Sequence, residues 1–366
     1  MKIILFTIQQ KGFPVVHDID PFALRIAGDF GIRWYGLSYM LGFICAYFII
    51  KWLAQRQRAG LTPQMVGDFI TYTAIGTLVG GRLGYVLFYS PDLLTKFKST
   101  LPFWGVLAVN EGGMASHGGI IGIVIAALLF ARKHSINGLY LLDLVSVAGP
   151  VGVFYGRIAN FINGELVGRP CEPDYPLAVK FPQDILNWPS QDFNKLSELA
   201  PVVDKIGVGR EQWLDLLEKF RFDVPAREEV YTLLNKIIES IQDGNVAAKE
   251  AIAPLLTSRY PSQLFAAFGE GLFLFVILFL LWRKPRKPGF IAASFIVLYA
   301  IVRVWDEQYR MPDAHIGLQW LDLTRGQWLS IAMFTVGIIL MFIWNRASSL
   351  KISGWGRGHS IKLNRK

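Results

Sequence analysis

Charge is scarce in this chain. Of 366 residues only 18% are Asp, Glu, Lys or Arg, where soluble domains carry about 25%, and that deficit excludes an ordinary water-soluble globule. Cysteine is scarcer still. Cys45 and Cys171 are the only two, and the first lies inside an apolar run, which excludes a disulfide framework. Neither has a histidine at metal-ligand spacing, so both read as structural. The opening MKIILFTIQQKGF is not followed by a small-residue cleavage site, so the first spanning helix, and not a removable leader, is expected to direct insertion. No internal repeat is evident, which removes the inverted halves of many transporters. No repeated Asp motif occurs of the kind a Mg²⁺ site is built from, and neither a metal nor a cofactor is expected.

What the chain has in quantity is apolar length. It is 52% hydrophobic and 14% aromatic, and seven runs, at about 34–53, 69–89, 115–132, 139–163, 263–282, 289–305 and 327–345, approach the roughly 20 residues a helix needs to cross a bilayer. The pattern predicts an all-α polytopic integral membrane protein with about seven transmembrane helices and a small helical periplasmic insertion. The expected division is 1–165 with membrane helices one to four, 166–262 as the insertion, 263–346 with helices five to seven, and 347–366 as a basic cytoplasmic tail. Within the insertion, residues 171–258 hold nine Lys/Arg against fifteen Asp/Glu, leaving −6 there and +15 for the remainder of a chain whose net charge is +9. REQWLDLLEKF and AREEVYTLLNKIIESIQDG read as amphipathic helices, with Gly244 as a helix stop.

The basic excess marks topology. Lys51, Arg56 and Arg58, then Arg132 and Lys133, then Arg283, Lys284, Arg286 and Lys287, and the closing KLNRK follow helices one, three, five and seven. Basic short loops stay cytoplasmic, which predicts an N-terminus outside and a C-terminus inside. Membrane topology accounts for the charge, so the bilayer is a partner and nucleic acid is not.

Ionisable groups inside membrane segments cost about 2.5–3.5 kcal/mol each near the centre, so those that persist need a reason. Arg82 lies in GGRLGYVLFY, His117 in EGGMASHGGIIG with Glu111 nearby, and GRIANFINGELVGRP packs Arg157, Asn160, Asn163, Glu165 and Arg169 behind an apolar run. Glu270 follows, then Arg303, Asp306, Glu307 and Arg310 in RVWDEQYR. Spacing i, i+4, i+7 puts Arg303, Glu307 and Arg310 on one face of a helix, with either an internal ion-pair ladder or an anionic ligand to explain it. Arg157 and Asn160 are one turn apart, and Gly164 makes a helix break plausible. Asp143, at the inner end of the fourth run, reads as interfacial. Gly76, Gly80 and Gly84 stand four apart and read as close helix packing. At a helix N-terminus the macrodipole favours a neutral imidazole at His117, the state a general base needs; the residue pattern leaves a structural role equally open. Arginine forks suit phosphate, and these groups gather towards one leaflet, so the residues point to a phospholipid-headgroup site facing outward.

Six stretches, RWYGLSYMLGF (33–43), GGRLGYVLFY (80–89), GGMASHGGIIG (112–122), GRIANFINGELVGRP (156–170), YPSQLFAAFGEG (260–271) and RVWDEQYRMPDA (303–314), run in the order found in the bacterial prolipoprotein diacylglyceryl transferase family, which the chain resembles. The resemblance implies transfer of a diacylglyceryl group from phosphatidylglycerol to the lipobox cysteine thiol of a prolipoprotein signal peptide, in the bacterial inner membrane, with release of glycerol phosphate. It places the catalytic set on His117, Arg157, Arg303, Glu165 and Glu307. It places phosphatidylglycerol contacts on Arg157, Asn160, Arg303, Arg310, Tyr35, Tyr299 and Gly168, with Arg82 added from its place in the second run. Arg157 and Arg303 fall to the lipid phosphate, His117 to thiol deprotonation, and Glu165 and Glu307 to orienting the arginines. YPSQLFA stands where the family commonly reads HPSQLYE, losing a His, a Tyr hydroxyl and a carboxylate that Glu270 would replace in part. The rival from another class is an anion or lipid transporter using the Arg/Glu groups as a relay. It requires a polar path to the inner side that the one-sided charges do not supply.

Overall fold

The computed structural model of the protein describes residues 14–27, 30–56, 60–99, 101–108, 112–311, 319–347, 351–352 and 354–355. Glu111 and Arg58 lie outside the described residues. Each apolar run is helical. α1 (Trp34–Arg56), α2 (Met65–Phe88), α3 (Ser116–His134) and α4 (Gly138–Asn163) come first. The insertion supplies α5 (Trp188–Gln191), α6 (Ala200–Asp204), α7 (Arg210–Lys219), α8 (Val224–Gln242) and α9 (Val246–Ile252). The fifth run is α10 (Ser262–Ala266), a π-helical turn over Ala267–Phe273, and α11 (Leu274–Leu281); α12 (Phe290–Asp306) and α13 (Arg325–Ala347) follow.

An apolar run becomes helix in lipid because only the chain itself can satisfy its N–H and C=O groups there. Five segments, α1, α3, α4, the continuous Ser262–Leu281 and most of α13, are long and apolar enough to cross a membrane. At 17 residues α12 is the shortest of the seven. The protein is a mostly helical polytopic integral membrane protein, with two small sheets among the described residues that the apolar periodicity does not signal. β1 (Val15–Val16) runs parallel to β4 (Val179–Lys180), which pairs antiparallel with β5 (Ser258–Arg259). β2 (Phe22–Ala27) and β3 (Phe30–Arg33) form a hairpin.

The chain separates into two compact units. One comprises Gly156–Ala267 with the described parts of Met1–Ser38 and Trp305–Arg325. Its core is a cluster of buried side chains drawn mainly from residues 185–256. α7 contributes Trp213, Leu216 and Leu217, and α8 contributes Val230, Leu233, Leu234, Ile237, Ile238 and Ile241, the three-and-four spacing of an apolar helix stripe. Trp213 is fully buried and donates its Nε1–H to Leu196 O at 2.9 Å, as a buried indole requires. α8 stops at Gln242, and Gly244 follows at φ +95°, in keeping with the stop read from sequence.

In the same unit His17 is buried between the rings of Phe161 and Phe181, at 5.4 and 5.2 Å. Neither ring nitrogen has a hydrogen-bond partner among the described residues. Burial holds the imidazole pKa down at about 4, against a weaker opposing pull from the Phe161 backbone. The unfolded chain therefore binds a proton below about pH 6.5 that the folded chain refuses until about pH 4. Stability from this group is complete above pH 6.5 and is lost as pH falls through that window, to a limit of about 3 kcal/mol. His17→Phe should flatten the fall in apparent melting temperature between pH 7 and 5; an unchanged slope would remove the assignment.

The other unit comprises Tyr39–Tyr155 and Phe268–Val304 with the described part of Gly326–Lys366. α2 and α3 pack backbone on backbone through the glycine stripe. A Cβ on Gly80 would stand 2.8 Å from Gly122 Cα, and one on Gly84 2.8 Å from Gly118 Cα. Small residues allow that approach, which dispersion rewards in lipid. Asp143, read from the sequence as interfacial, has a specific structural task. It is 1% exposed, and its two oxygens accept from Gly289 N and Ala292 N at 2.8 Å each. A side chain of α4 thus caps the start of α12, whose first N–H groups have no partner within their own helix.

Candidate active site

The GRIANFINGE stretch makes its own corner. Glu165 N donates to Asn160 O at 3.1 Å and Gly164 N to Phe161 O at 3.0 Å, with Gly164 at φ +68°. This is a Schellman ending of α4 with glycine in the left-handed position. In that motif the residue after the glycine usually makes an apolar contact with the residue five places before it. Here those positions are Glu165 and Asn160, and they make a polar contact instead. Asn160 Nδ2 donates to Glu165 Oε1 at 2.9 Å and to Tyr35 Oη at 2.7 Å. Asn160 is 5% exposed while Glu165 is exposed, so a buried amide holds a carboxylate at an accessible edge. Arg157 lies half-buried on α4, one turn before Asn160.

After the corner the chain is clamped on both sides. Glu165 O accepts from Gln263 Nε2 at 2.8 Å and Leu166 O from Ser262 Oγ at 3.3 Å. Gly168 pairs with Arg310 in an antiparallel bridge. Arg169 N donates to Tyr309 O at 2.8 Å, and Tyr260 N to Arg169 O at 3.1 Å. A Cβ on Gly168 would collide with Tyr260 O and stand 2.9 Å from Tyr309 O, so only glycine fits between these two backbones. The Arg169 guanidinium donates to Arg310 O at 3.0 Å and to Glu307 O at 3.5 Å. Arg259 Nη1 donates to Gly168 O at 3.0 Å, and its Nε pairs with Asp184. Burial pushes the Asp184 carboxyl above its ordinary value, and the Arg259 charge opposes that rise.

Arg310 departs from the shared helix face expected of it. α12 ends at Asp306, a turn follows, and Arg310 enters the bridge with Gly168. Glu307, 5% exposed, accepts from Thr324 Oγ1 at 2.9 Å.

In the other unit Arg82 is 6% exposed and spends its donors on carbonyls. Nε reaches Val106 O, Nη2 reaches Gly105 O, and Nη1 reaches Gly112 O and Gly113 O, all between 2.5 and 2.9 Å. Four of the five guanidinium N–H groups are thereby committed to the loop that leads into α3. His117 is the second residue of α3 and is exposed. Arg303 lies in the last turn of α12 and pairs with Glu270 at 3.3 Å, and Tyr299 one turn earlier meets the Phe295 ring at 5.7 Å.

The structure thus brings together Tyr35, Asn160 and Glu165, joins Gly168 to Arg310, and engages Arg82 with its own loop. Sequence reasoning missed the work of Asp143, Ser262 and Gln263. The last two stand in the quoted YPSQLFA, so the motif pointed at them without showing their partners.

Comparison with known proteins adds a second line. A family model described as prolipoprotein diacylglyceryl transferase matches residues 21–343. A Bdellovibrio bacteriovorus protein named phosphatidylglycerol–prolipoprotein diacylglyceryl transferase is 79% identical over 352 residues, covering 96% of this chain and all of that protein. Proteins of the same name from Rhodospirillum rubrum and Burkholderia orbicola are 33% and 35% identical, covering 92% and 90% of this chain and 96% and 95% of their own lengths.

Proposed function

Since the chain belongs to the prolipoprotein diacylglyceryl transferase family, we propose that it transfers the diacylglyceryl group of phosphatidylglycerol to the lipobox cysteine thiol of a prolipoprotein. The thiolate sulfur forms a bond to the glycerol carbon as the carbon–oxygen bond to phosphate breaks. A thioether results, and glycerol phosphate leaves with the electron pair. A free thiol of pKa about 8.5 is only slightly ionised at neutral pH, so a base speeds the attack. The phosphate changes from diester to monoester and gains charge, so arginines there stabilise the transition state more than the substrate.

The observation that carries this reading is the Tyr35–Asn160–Glu165 corner, a built polar edge at the end of a membrane helix. In this reading Arg157 and Arg303 hold the phosphate, His117 takes the thiol proton, and Glu165 and Glu307 orient the arginines. Arg310 and Tyr299 complete the lipid contacts, and Gly168, closed between two backbones, serves instead by holding the chain after the corner. Arg82, with its donors on the 105–113 loop, holds that loop and with it the approach to His117. The reading places the protein in the bacterial inner membrane with seven crossings, the N-terminus and the 166–262 insertion periplasmic, and the 347–366 tail cytoplasmic.

The test is direct. Purified protein, phosphatidylglycerol and a lipobox peptide should give a peptide heavier by one diacylglyceryl group; a Cys→Ser peptide should give none, and a chelator should change nothing. No mass increase with the cysteine peptide would overturn the proposal. His117→Gln should lower turnover by about 100-fold or more and move the pH optimum upward, since unassisted thiol ionisation then limits the rate. Near-parental turnover with an unmoved optimum would remove the base from His117.

A further inference from the structure

The Glu270–Arg303 pair is asymmetric. The Glu270 side chain is 0% exposed and that of Arg303 is 15% exposed. A sealed carboxylate has no route to a ligand, whereas the guanidinium it touches at 3.3 Å keeps an accessible edge. Burying a carboxylate is costly unless it is paired, and Arg303 supplies a charged partner here.

The backbone around it is built to place it. Glu270 lies in the π-helical turn over Ala267–Phe273, between the regular turns of α10 and α11. A π turn admits one more residue than an α turn, and such turns concentrate at functional positions. Each residue advances the facing of a helix by about 100°, so removing the extra one would turn Glu270 away. The turn rests on α4 through Gly271, where a Cβ would stand 2.6 Å from Phe154 Cβ and 2.7 Å from Phe154 Cα. The Phe268 ring meets the Phe154 ring edge-on at 6.1 Å. Arg303 comes from the far end of α12, whose start is held by the Asp143 cap.

We infer that Glu270, set by the π-helical turn, is a positioning residue that aims the Arg303 guanidinium at the substrate phosphate. The inference rests on the role proposed above for Arg303 and adds the group that directs it. Glu270 touches no reacting atom. Its carboxylate fixes where the positive charge points and offsets part of that charge until phosphate arrives.

The experiment uses the full-length purified chain in phosphatidylglycerol micelles with a lipobox peptide, comparing the parent with Glu270→Gln, Glu270→Asp and Arg303→Gln. Glu270→Gln should lower kcat by about tenfold or more. Inhibition by glycerol 1-phosphate should stay as strong or tighten, because Arg303 keeps its charge and loses the group that offset it. Glu270→Asp, which keeps the charge at a shorter reach, should fall between Gln and parent. Turnover is counted per folded molecule, because a carboxylate needed only for folding would lower the yield and leave that rate at the parental value; product inhibition that weakens in step with turnover would place Glu270 in ground-state binding and overturns the inference. So does a kcat for Glu270→Gln within about twofold of the parent. Where the Gln variant does not accumulate, the Asp variant decides by the same two readouts. Arg303→Gln separates the two claims. If it keeps parental turnover the phosphate role of Arg303 fails; if it is inactive while Glu270→Gln is not, only the positioning role fails.

Discussion

Gly168→Ala should lower turnover by about 100-fold or more in protein that still extracts and purifies as a folded membrane protein. The methyl group has nowhere to go. Its carbon would collide with Tyr260 O and lie 2.9 Å from Tyr309 O, both backbone atoms that no rotamer change can move. Overpacking of this kind costs about 1–3 kcal/mol, which the insertion core, a cluster that includes neither Gly168 nor Tyr260 nor Tyr309, should survive. The strain falls on the corner instead. Separating Gly168 from Tyr260 and Tyr309 breaks the bridge to Arg310 and the bonds of Arg169 with Tyr309 and Tyr260. Those bonds fix the residues that follow Glu165, and a displacement of about 1 Å at a reacting site is enough for a hundredfold loss. Thioether formation per folded molecule is the measurement. Turnover within about fivefold of the parent would show that the strand relaxes freely and that the clamp is not what holds the corner.

Much of this architecture was legible because apolar run length is a direct signal in lipid. α1, α2, α3, α4, the Ser262–Leu281 segment, α12 and α13 all fall on runs read from composition. The corner was half legible. Gly164 announced a break, and the polarity around it exceeded what a helix end needs, but the reversal that brings Glu165 back to Asn160 depends on backbone hydrogen bonds that residue identity does not encode. Strands of two residues, such as β1 and β5, have no periodicity to detect. The π turn has no compositional mark, since one extra residue in an apolar helix changes facing without changing hydropathy. Asp143 and its cap partners are 146 and 149 residues apart, beyond any local rule. Arg82 shows the limit of residue type as evidence. A guanidinium recognises carbonyl oxygens with the same donors it offers to phosphate, so a buried arginine in a membrane segment marks either a ligand or a loop to be held.

The Asn160 amide invites a sharper experiment than its removal. Asn160→Ala deletes the donor that Glu165 and Tyr35 share, and turnover should fall by about tenfold to a hundredfold as both side chains lose their anchor. Asn160→Asp is nearly the same size and polar, yet it should be worse than alanine. Asp is acceptor-only when ionised, so a second carboxylate would face Glu165 where an N–H donates across 2.9 Å. Tyr35 narrows the gap between the two variants, because its hydroxyl can turn and donate to the new carboxylate while an alanine side chain offers it no polar atom. The repulsion between two charges about 4 Å apart runs from about 1 kcal/mol in water to about 4 kcal/mol near a protein surface. With Glu165 exposed the lower part of that range applies, roughly tenfold in rate. Because the penalty is electrostatic and at an accessible edge, added salt should narrow the gap between Asp and Ala, while the rate of the Ala variant relative to parent should hardly move. Side-by-side kcat/KM values at low and high ionic strength decide it. If aspartate at this position turns over as well as alanine, or if salt leaves their ratio unchanged, the amide is not serving to hold the Glu165 carboxylate.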